Sequence, residues 1–181
     1  MILIIQSAQY GWVGVMTLPR EFSFVNSKLF QKPISEIKSY FSNEQKEFPR
    51  IEGSTCALEL KVDVRNSPIF ELELRSNGHE KTILSYYSKN VLLEFNCKNS
   101  GHSITGLEEE HLYKREVYSD MTKDKLKLEI FIDRSSTETF INDGIDTMTA
   151  NVYPKQVANK IKLRAKGTAE IINNNVEKME H

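Results

Sequence analysis

Alternation with a period of two governs most of this chain. Cys56, Leu58, Leu60, Val62 and Val64 fall on one side of an extended segment, with Glu59, Lys61 and Asp63 on the other. Phe70, Leu72 and Leu74 alternate with Glu71, Glu73 and Arg75. Leu126, Leu128, Ile130 and Ile132 alternate with Lys127 and Glu129. Successive side chains of a strand point to opposite faces, so each run buries one face and wets the other. That pattern belongs to antiparallel sheets with one solvated side. Weaker strands are expected at 82–88, 91–96, 112–118, 147–152, 160–165 and 168–172.

The punctuation between these runs agrees. Asn77-Gly78 and Asp143-Gly144 tolerate the positive φ that tight hairpin turns require. Lys166-Gly167 is expected to separate the last two strands in the same way. Strands this numerous and closely spaced predict an all-β fold, a sandwich of two antiparallel sheets. A parallel α/β fold needs repeated helical crossovers, and the sequence offers none. One helical signal stands out: Ile34, Ile37 and Phe41 recur at helical spacing after Pro33, a residue suited to a helix start. Residues 34–41 are read as a short linker helix or turn. Met1–Ile5 is apolar throughout, and Gly11 and Gly14 flank Trp12 and Val13. Such a strand needs cover on both faces and leaves an unpaired apolar edge. Residues 1–33 are therefore expected to be a piece of a larger sheet assembly, and 42–181 to form the sandwich.

Charge excludes some functions. The 24 basic and 25 acidic residues are interspersed and give a net charge of -1. No basic stretch interleaved with aromatics marks a nucleic-acid surface. No apolar run approaches the roughly 20 residues of a membrane span. Cys56 and Cys97 lack Cys-x-x-Cys spacing and are either buried thiols or one bridge. His79, His102, His111 and His181 show no ligand spacing, so neither a metal nor a cofactor is expected. No secretory signal opens the chain, and a cytoplasmic protein is the default expectation.

Two segments carry a family resemblance. The first runs Gly11-Trp12-Val13-Gly14-Val15-Met16-Thr17-Leu18-Pro19-Arg20-Glu21, followed by Leu29-Phe30-Gln31-Lys32-Pro33. The second runs from Glu129 through Asp133-Arg134-Ser135-Ser136-Thr137-Glu138-Thr139-Phe140 to Asn142-Asp143-Gly144, with Thr149, Val152, Tyr153 and Pro154 after it. Together they resemble glycoside hydrolase family 32, the invertases, sucrose-6-phosphate hydrolases, levanases and inulinases. The first segment resembles the close of that family's five-bladed catalytic propeller. The second resembles the signature hairpin of its carboxy-terminal β-sandwich. The resemblance implies that residues 1–33 are a propeller remnant. It also implies that the family's nucleophile, stabilising Asp and acid/base Glu, which lie in Asn-Asp-Pro-Asn-Gly-like, Arg-Asp-Pro and Glu-Cys motifs of earlier blades, have no counterpart here. The family's acidic-Arg-Ser pattern is also missing at Glu94-Phe95-Asn96-Cys97-Lys98, where the Arg is absent.

The candidate residues are thus structural and interfacial: Trp12, Pro19, Arg20, Glu21, Asp133, Arg134, Ser135, Ser136, Glu138, Phe140, Asn142, Asp143 and Gly144. Asp133 and Glu138 form a tempting carboxylate pair, but a turn role for Asp133 and an ion pair between Glu138 and a base such as Arg134 fit better. Ser135 and Ser136 lack the neighbouring base that a nucleophile needs. Arg20 is expected in a buried or interfacial ion pair, and Trp12 in packing. No catalytic residue is expected. The expected role is a non-catalytic module that stabilises the catalytic propeller, or, for the chain alone, self-association as a homodimer. Two alternatives are a subunit of a split β-fructofuranosidase and a fructan-binding module using Tyr86, Tyr87, Tyr113 and Tyr118.

Overall fold

The computed structural model describes residues 15–41, 55–102, 113–119, 124–155 and 160–179. Trp12, Gly11, Gly14 and the apolar Met1–Ile5 lie outside the described residues. Ten strands are present among the described residues: β1 (Arg20–Val25), β2 (Lys28–Pro33), β3 (Cys56–Ser76), β4 (Thr82–Tyr87), β5 (Leu92–Asn96), β6 (Lys114–Tyr118), β7 (Lys125–Ile132), β8 (Ser136–Ile141), β9 (Asp146–Asn151) and β10 (Lys160–Lys178). A six-residue 3-10 helix at Ser35–Tyr40 stands where the helical spacing was read.

All eight strands from β3 to β10 belong to one antiparallel system, folded on itself into a sandwich. The first half of β3 pairs with β7, and its second half with β4. β10 runs along the whole length of β3 on its other edge. The first layer is therefore β6, β5, β4 and the ends of β3 and β10 that meet them. The second layer is β9, β8, β7 and the opposite ends. Two expectations need correction here. The runs at 56–64 and 70–75 are one strand of 21 residues, and 160–165 and 168–172 belong to one strand of 19. Gly167 does not end a strand. It marks the corner where β10 crosses between layers with shifted register. The φ of Gly167 is +84°, and a Cβ there would stand 2.3 Å from the Asn66 carbonyl oxygen. Ser67 seals the same corner, its hydroxyl 2.8 Å from the Ile69 carbonyl and 3.1 Å from that of Lys166. A bulged corner with Gly and Pro68 is how a long strand bends without leaving its ladder.

The inward faces are those read from the alternation. Leu58, Leu60, Val62, Phe70, Leu72, Leu74, Leu126, Leu128 and Ile130 fill the space between the layers, joined by Leu84, Leu93, Phe95, Ile141 and Ile161. The Asn77-Gly78 turn joins β3 to β4, with the Asn77 side-chain oxygen accepting the backbone N–H of His79 and Glu80. Asn142-Asp143-Gly144 joins β8 to β9, with φ of 48°, 64° and 84°. Cys56 and Cys97 are both free thiols. Burial pushes the Cys56 thiol up to about 12 and raises that of Cys97, which disfavours the reactive thiolate at both.

Outside the sandwich stands a separate hairpin, β1 with β2, paired from Arg20 with Pro33 to Val25 with Lys28. Its turn is Asn26-Ser27, both residues at positive φ (50° and 61°), a combination that matches the twist of two-residue hairpins.

Candidate functional site

The hairpin, the 3-10 helix and Phe41 form a strap over the outer face of the second layer. Alternation along β8 explains why that face can hold it. Thr137, Thr139 and Ile141 face one way; Ser136, Glu138 and Phe140 face the other. Register aligns Ala57, Phe131, Glu138 and Thr149 in one cross-strand row. The next row is Glu59, Glu129, Phe140 and Thr147. Phe41, Ala57, Phe131 and Phe140 make a small cluster of their own, joined by Leu18, Ile37 and Met179. Phe131 meets Phe41 and Phe140 edge-on, at centroid distances of 5.7 and 6.0 Å, a favoured aromatic geometry.

Arg20 is the centre of the contact. One terminal nitrogen donates to the Glu138 carboxylate at 2.8 Å and to the Thr149 hydroxyl at 3.1 Å. The other donates to the Gln31 side-chain oxygen at 3.0 Å and to the Thr147 hydroxyl at 3.3 Å. The guanidinium lies 5.2 Å from the Phe140 ring centre, a cation–π arrangement. Glu138 accepts a second hydrogen bond on its other oxygen, from the Leu18 backbone N–H at 2.7 Å. Glu138 is buried and Arg20 partly buried, at 6% and 14% side-chain exposure. A charged pair withdrawn from water holds only when its remaining donors and acceptors are met. Here the two threonines of β9, Gln31 and the Leu18 amide meet all but one of them, the buried Arg20 Nε having no hydrogen-bond partner.

Backbone contacts complete the seat. The Ile34 N–H donates to the Pro19 carbonyl at 3.1 Å. Gly144 lies against β2, and a Cβ there would come within 1.9 Å of the Gln31 carbonyl oxygen. Asp143, beside it, is held by Lys127 at 2.6 Å and faces Lys32 of β2 at 4.0 Å. The Lys127 hydrogen bond holds the Asp143 carboxyl below its ordinary value of 3.8. Lys38, on the 3-10 helix, reaches Glu59 at 2.9 Å and Glu129 at 3.3 Å.

The hairpin's tip is not covered. Phe22, Phe24 and Leu29 share the face that carries Arg20, but are 61%, 74% and 48% exposed. Beneath the strap's base a cavity of about 190 Å³ opens between Met16, Leu18, Tyr40, Phe131 and Met179, with Asp133, Ser136 and Glu138 on its polar wall. That volume is below the several hundred Å³ of ordinary small-molecule sites.

The sequence candidates divide accordingly. The structure brings together Arg20, Glu138, Phe140, Asn142, Asp143 and Gly144. Glu138 pairs with Arg20, not with Arg134, because it faces the strap while Arg134 sits exposed in the turn before β8. Pro19 contributes only its carbonyl, and Glu21 is exposed. Asp133 is exposed and closes its turn through its own N–H to the Ser136 carbonyl at 2.9 Å, while Ser135 accepts the Val152 N–H. Glu138 has both oxygens engaged, which leaves Asp133 without a second carboxylate free to act with it. Among the described residues no three His, Cys, Asp or Glu side chains gather as a metal site. No described helix is long and apolar enough to cross a membrane.

Of the four tyrosines, Tyr86 is corrected outright. It is 4% exposed and part of the core. Tyr113 is half-buried under the Lys98 ammonium, at the opposite end of β6 from Tyr118. Sequence reasoning missed Arg75. Its buried guanidinium donates to the Asp133 and Arg134 carbonyls, and so fixes the turn that aims Glu138. It reads as an ordinary outward residue of an alternating strand, and nothing local announces its role.

The family model for the glycosyl hydrolases family 32 C terminal matches residues 26–179. The sucrose-6-phosphate hydrolase of Escherichia coli is 30% identical over 168 residues, covering 88% of this chain and 33% of that protein. The one from Staphylococcus xylosus is 29% identical over 162 residues, covering 84% and 32%. The chain thus spans about a third of the length of these relatives. Among solved structures, sucrose-6-phosphate hydrolase from Lactobacillus gasseri superposes with a TM-score of 0.80 at 19% identity, over 98% of this chain and 36% of that one. Exo-inulinase from Aspergillus awamori gives 0.79 at 23%, over 94% and 37%. With the sandwich in place and the hairpin seated on it, the match to residues 26–179 identifies this chain as a member of the family 32 glycosyl hydrolases, of their C-terminal domain.

Proposed function

We propose that this chain is the non-catalytic module that braces the catalytic propeller of a sucrose- or fructan-cleaving glycosidase, acting in the cytoplasm. One observation carries the reading. The segment resembling the propeller's close and the segment resembling the sandwich signature meet in a single buried junction, Arg20 with Glu138. The junction fixes the direction in which the hairpin leaves the sandwich. The exposed Phe22, Phe24 and Leu29 then lie where a partner sheet covers them. The partner is a propeller, joined in the same chain or supplied separately as in a split enzyme.

The test uses the catalytic propeller of a family 32 sucrose-6-phosphate hydrolase produced without its own C-terminal domain. Titration calorimetry is expected to give a one-to-one complex, and the propeller's hydrolysis of sucrose 6-phosphate should rise on addition of this chain. Free fructose released by this chain alone, or no complex at all, contradicts the reading. The same exposed hairpin face supports a second reading for the isolated chain, a symmetric homodimer that covers Phe22 and Phe24 with a second copy. Light scattering that gives a monomer at high concentration rejects it.

A further inference from the structure

The outer face of the first layer holds a row of mostly apolar side chains, ending in a lysine, that the bracing role does not use. Register places Lys166, Ile69, Tyr87, Leu92 and Tyr118 side by side across β10, β3, β4, β5 and β6. Tyr118 is 71% exposed, while Tyr87 and Leu92 are half-buried. Val91 stands at the rim, 36% exposed, with φ 53° and ψ 35°. A β-branched residue in the left-handed region is an outlier, one that Gly or Asn would relieve. Strain of this kind clusters at ligand-contacting positions. Here it turns an apolar side chain toward solvent beside Leu92 and Tyr118.

We propose that Tyr87, Leu92 and Tyr118, with Val91, form a shallow platform for a neutral oligosaccharide such as a fructan. Three features select that occupant. Sugar rings present C–H faces that lie against tyrosine rings, and hydroxyl edges that need polar neighbours. The adjoining row supplies those neighbours: Glu94 and Glu116, held by one ammonium, that of Lys114, at 3.2 and 2.7 Å. Among the described side chains of that row, two carboxylates face one ammonium, which disfavours a phosphorylated sugar beside Tyr118. The cations of β10 lie elsewhere. Arg164 and Lys162 are drawn onto Glu73, and Lys166 stands four strand spacings from Tyr118, roughly 19 Å. A protein partner fits less well. A stable interface takes roughly 20–30 residues a side, and this row is bordered at once by the charged row of Arg164, Glu71, Glu94 and Glu116.

The platform lies on the layer opposite the Arg20–Glu138 junction, so the two roles separate experimentally. The full chain is run by electrophoresis through gels containing inulin, levan or no polysaccharide. Retardation by a fructan is expected. Tyr118→Ala and Tyr87→Ala should weaken it about tenfold, the size of one lost aromatic stacking contact. Tyr118→Phe and Arg20→Ala should leave it intact, and Tyr118→Ala should keep the native melting temperature because the ring is exposed. Sucrose 6-phosphate should not compete. Native chain that migrates unretarded overturns the proposal, as does Tyr118→Ala that is retarded equally. A concentration-dependent dimer that Tyr118→Ala dissociates also overturns it, and assigns the row to a second copy of this chain.

Discussion

The space between the two layers and the seat of the strap are built by opposite means, although the same strands supply both. Between the layers, Leu58, Leu72, Leu93, Phe95 and Ile130 are at most 1% exposed, and nothing directional holds them. Under the strap, Arg20, Gln31, Glu138, Thr147 and Thr149 make a short hydrogen-bonded chain over a cluster of phenylalanines. Apolar burial drives folding but is tolerant of repacking. Charge-assisted hydrogen bonds fix geometry. The interior therefore decides that the chain folds, and the junction decides where the hairpin points.

Removing a large interior side chain should have the greatest effect. Phe95→Ala is expected to cost about 3–5 kcal/mol, by lost burial and the cavity left behind. Urea unfolding should show strap and sandwich signals falling together. Arg20→Ala comes next, at about 3 kcal/mol, since it leaves Glu138 buried and unpaired. Here the two regions should part: limited proteolysis cuts the segment 15–41 much faster, while circular dichroism of the sandwich persists. Simultaneous loss of both would merge the two regions into one cooperative unit.

Gly144→Ala tests the seat without touching a charge. Its Cβ would collide with the Gln31 carbonyl, and its φ of +84° is unfavourable for Ala. A cost of about 1–3 kcal/mol is expected, again read as faster cleavage of the strap. The smallest effect belongs to Asp143→Asn, within about 0.5 kcal/mol, because its ion pairs are largely exposed. It carries a sign. Lys127 depresses the folded-state carboxyl below 3.8. Its contribution is therefore present above that value and is lost as pH falls through the folded pKa. The variant should show less acid destabilisation than the native chain: the difference between the two is present at neutral pH and vanishes once the pH falls below the folded pKa.

The same contrast explains what was legible in the sequence. The interior announced itself through alternation at Leu58–Val64, Phe70–Leu74 and Leu126–Ile132. β8 did not. All six of its residues are buried, because the strap covers the face that an antiparallel strand usually leaves wet, and its Thr and Glu side chains read as solvated. The partner of Glu138 stands 118 positions away, beyond any local pattern, so the nearby Arg134 was the natural but wrong choice. The β1–β2 hairpin was missed because its Asn26-Ser27 turn lacks the Gly of the commoner signals. The break read at Gly167 failed for a related reason: glycine permits a corner within a strand as readily as a turn between two. Tyr86 and Tyr87 differ by one residue, and period two sends one to the core and leaves the other outside.

The central claim is that the two distant motifs act as one contact. A double-mutant cycle tests it most directly, with Arg20→Ala, Glu138→Ala and the pair, each measured by urea unfolding and by cleavage rate within 15–41. A coupling of about 1.5–3 kcal/mol, the size of a hydrogen bond to a charged group, is predicted. Additive effects, agreeing within about 0.5 kcal/mol, would mean that the two motifs do not act on each other and that the junction does not hold the strap.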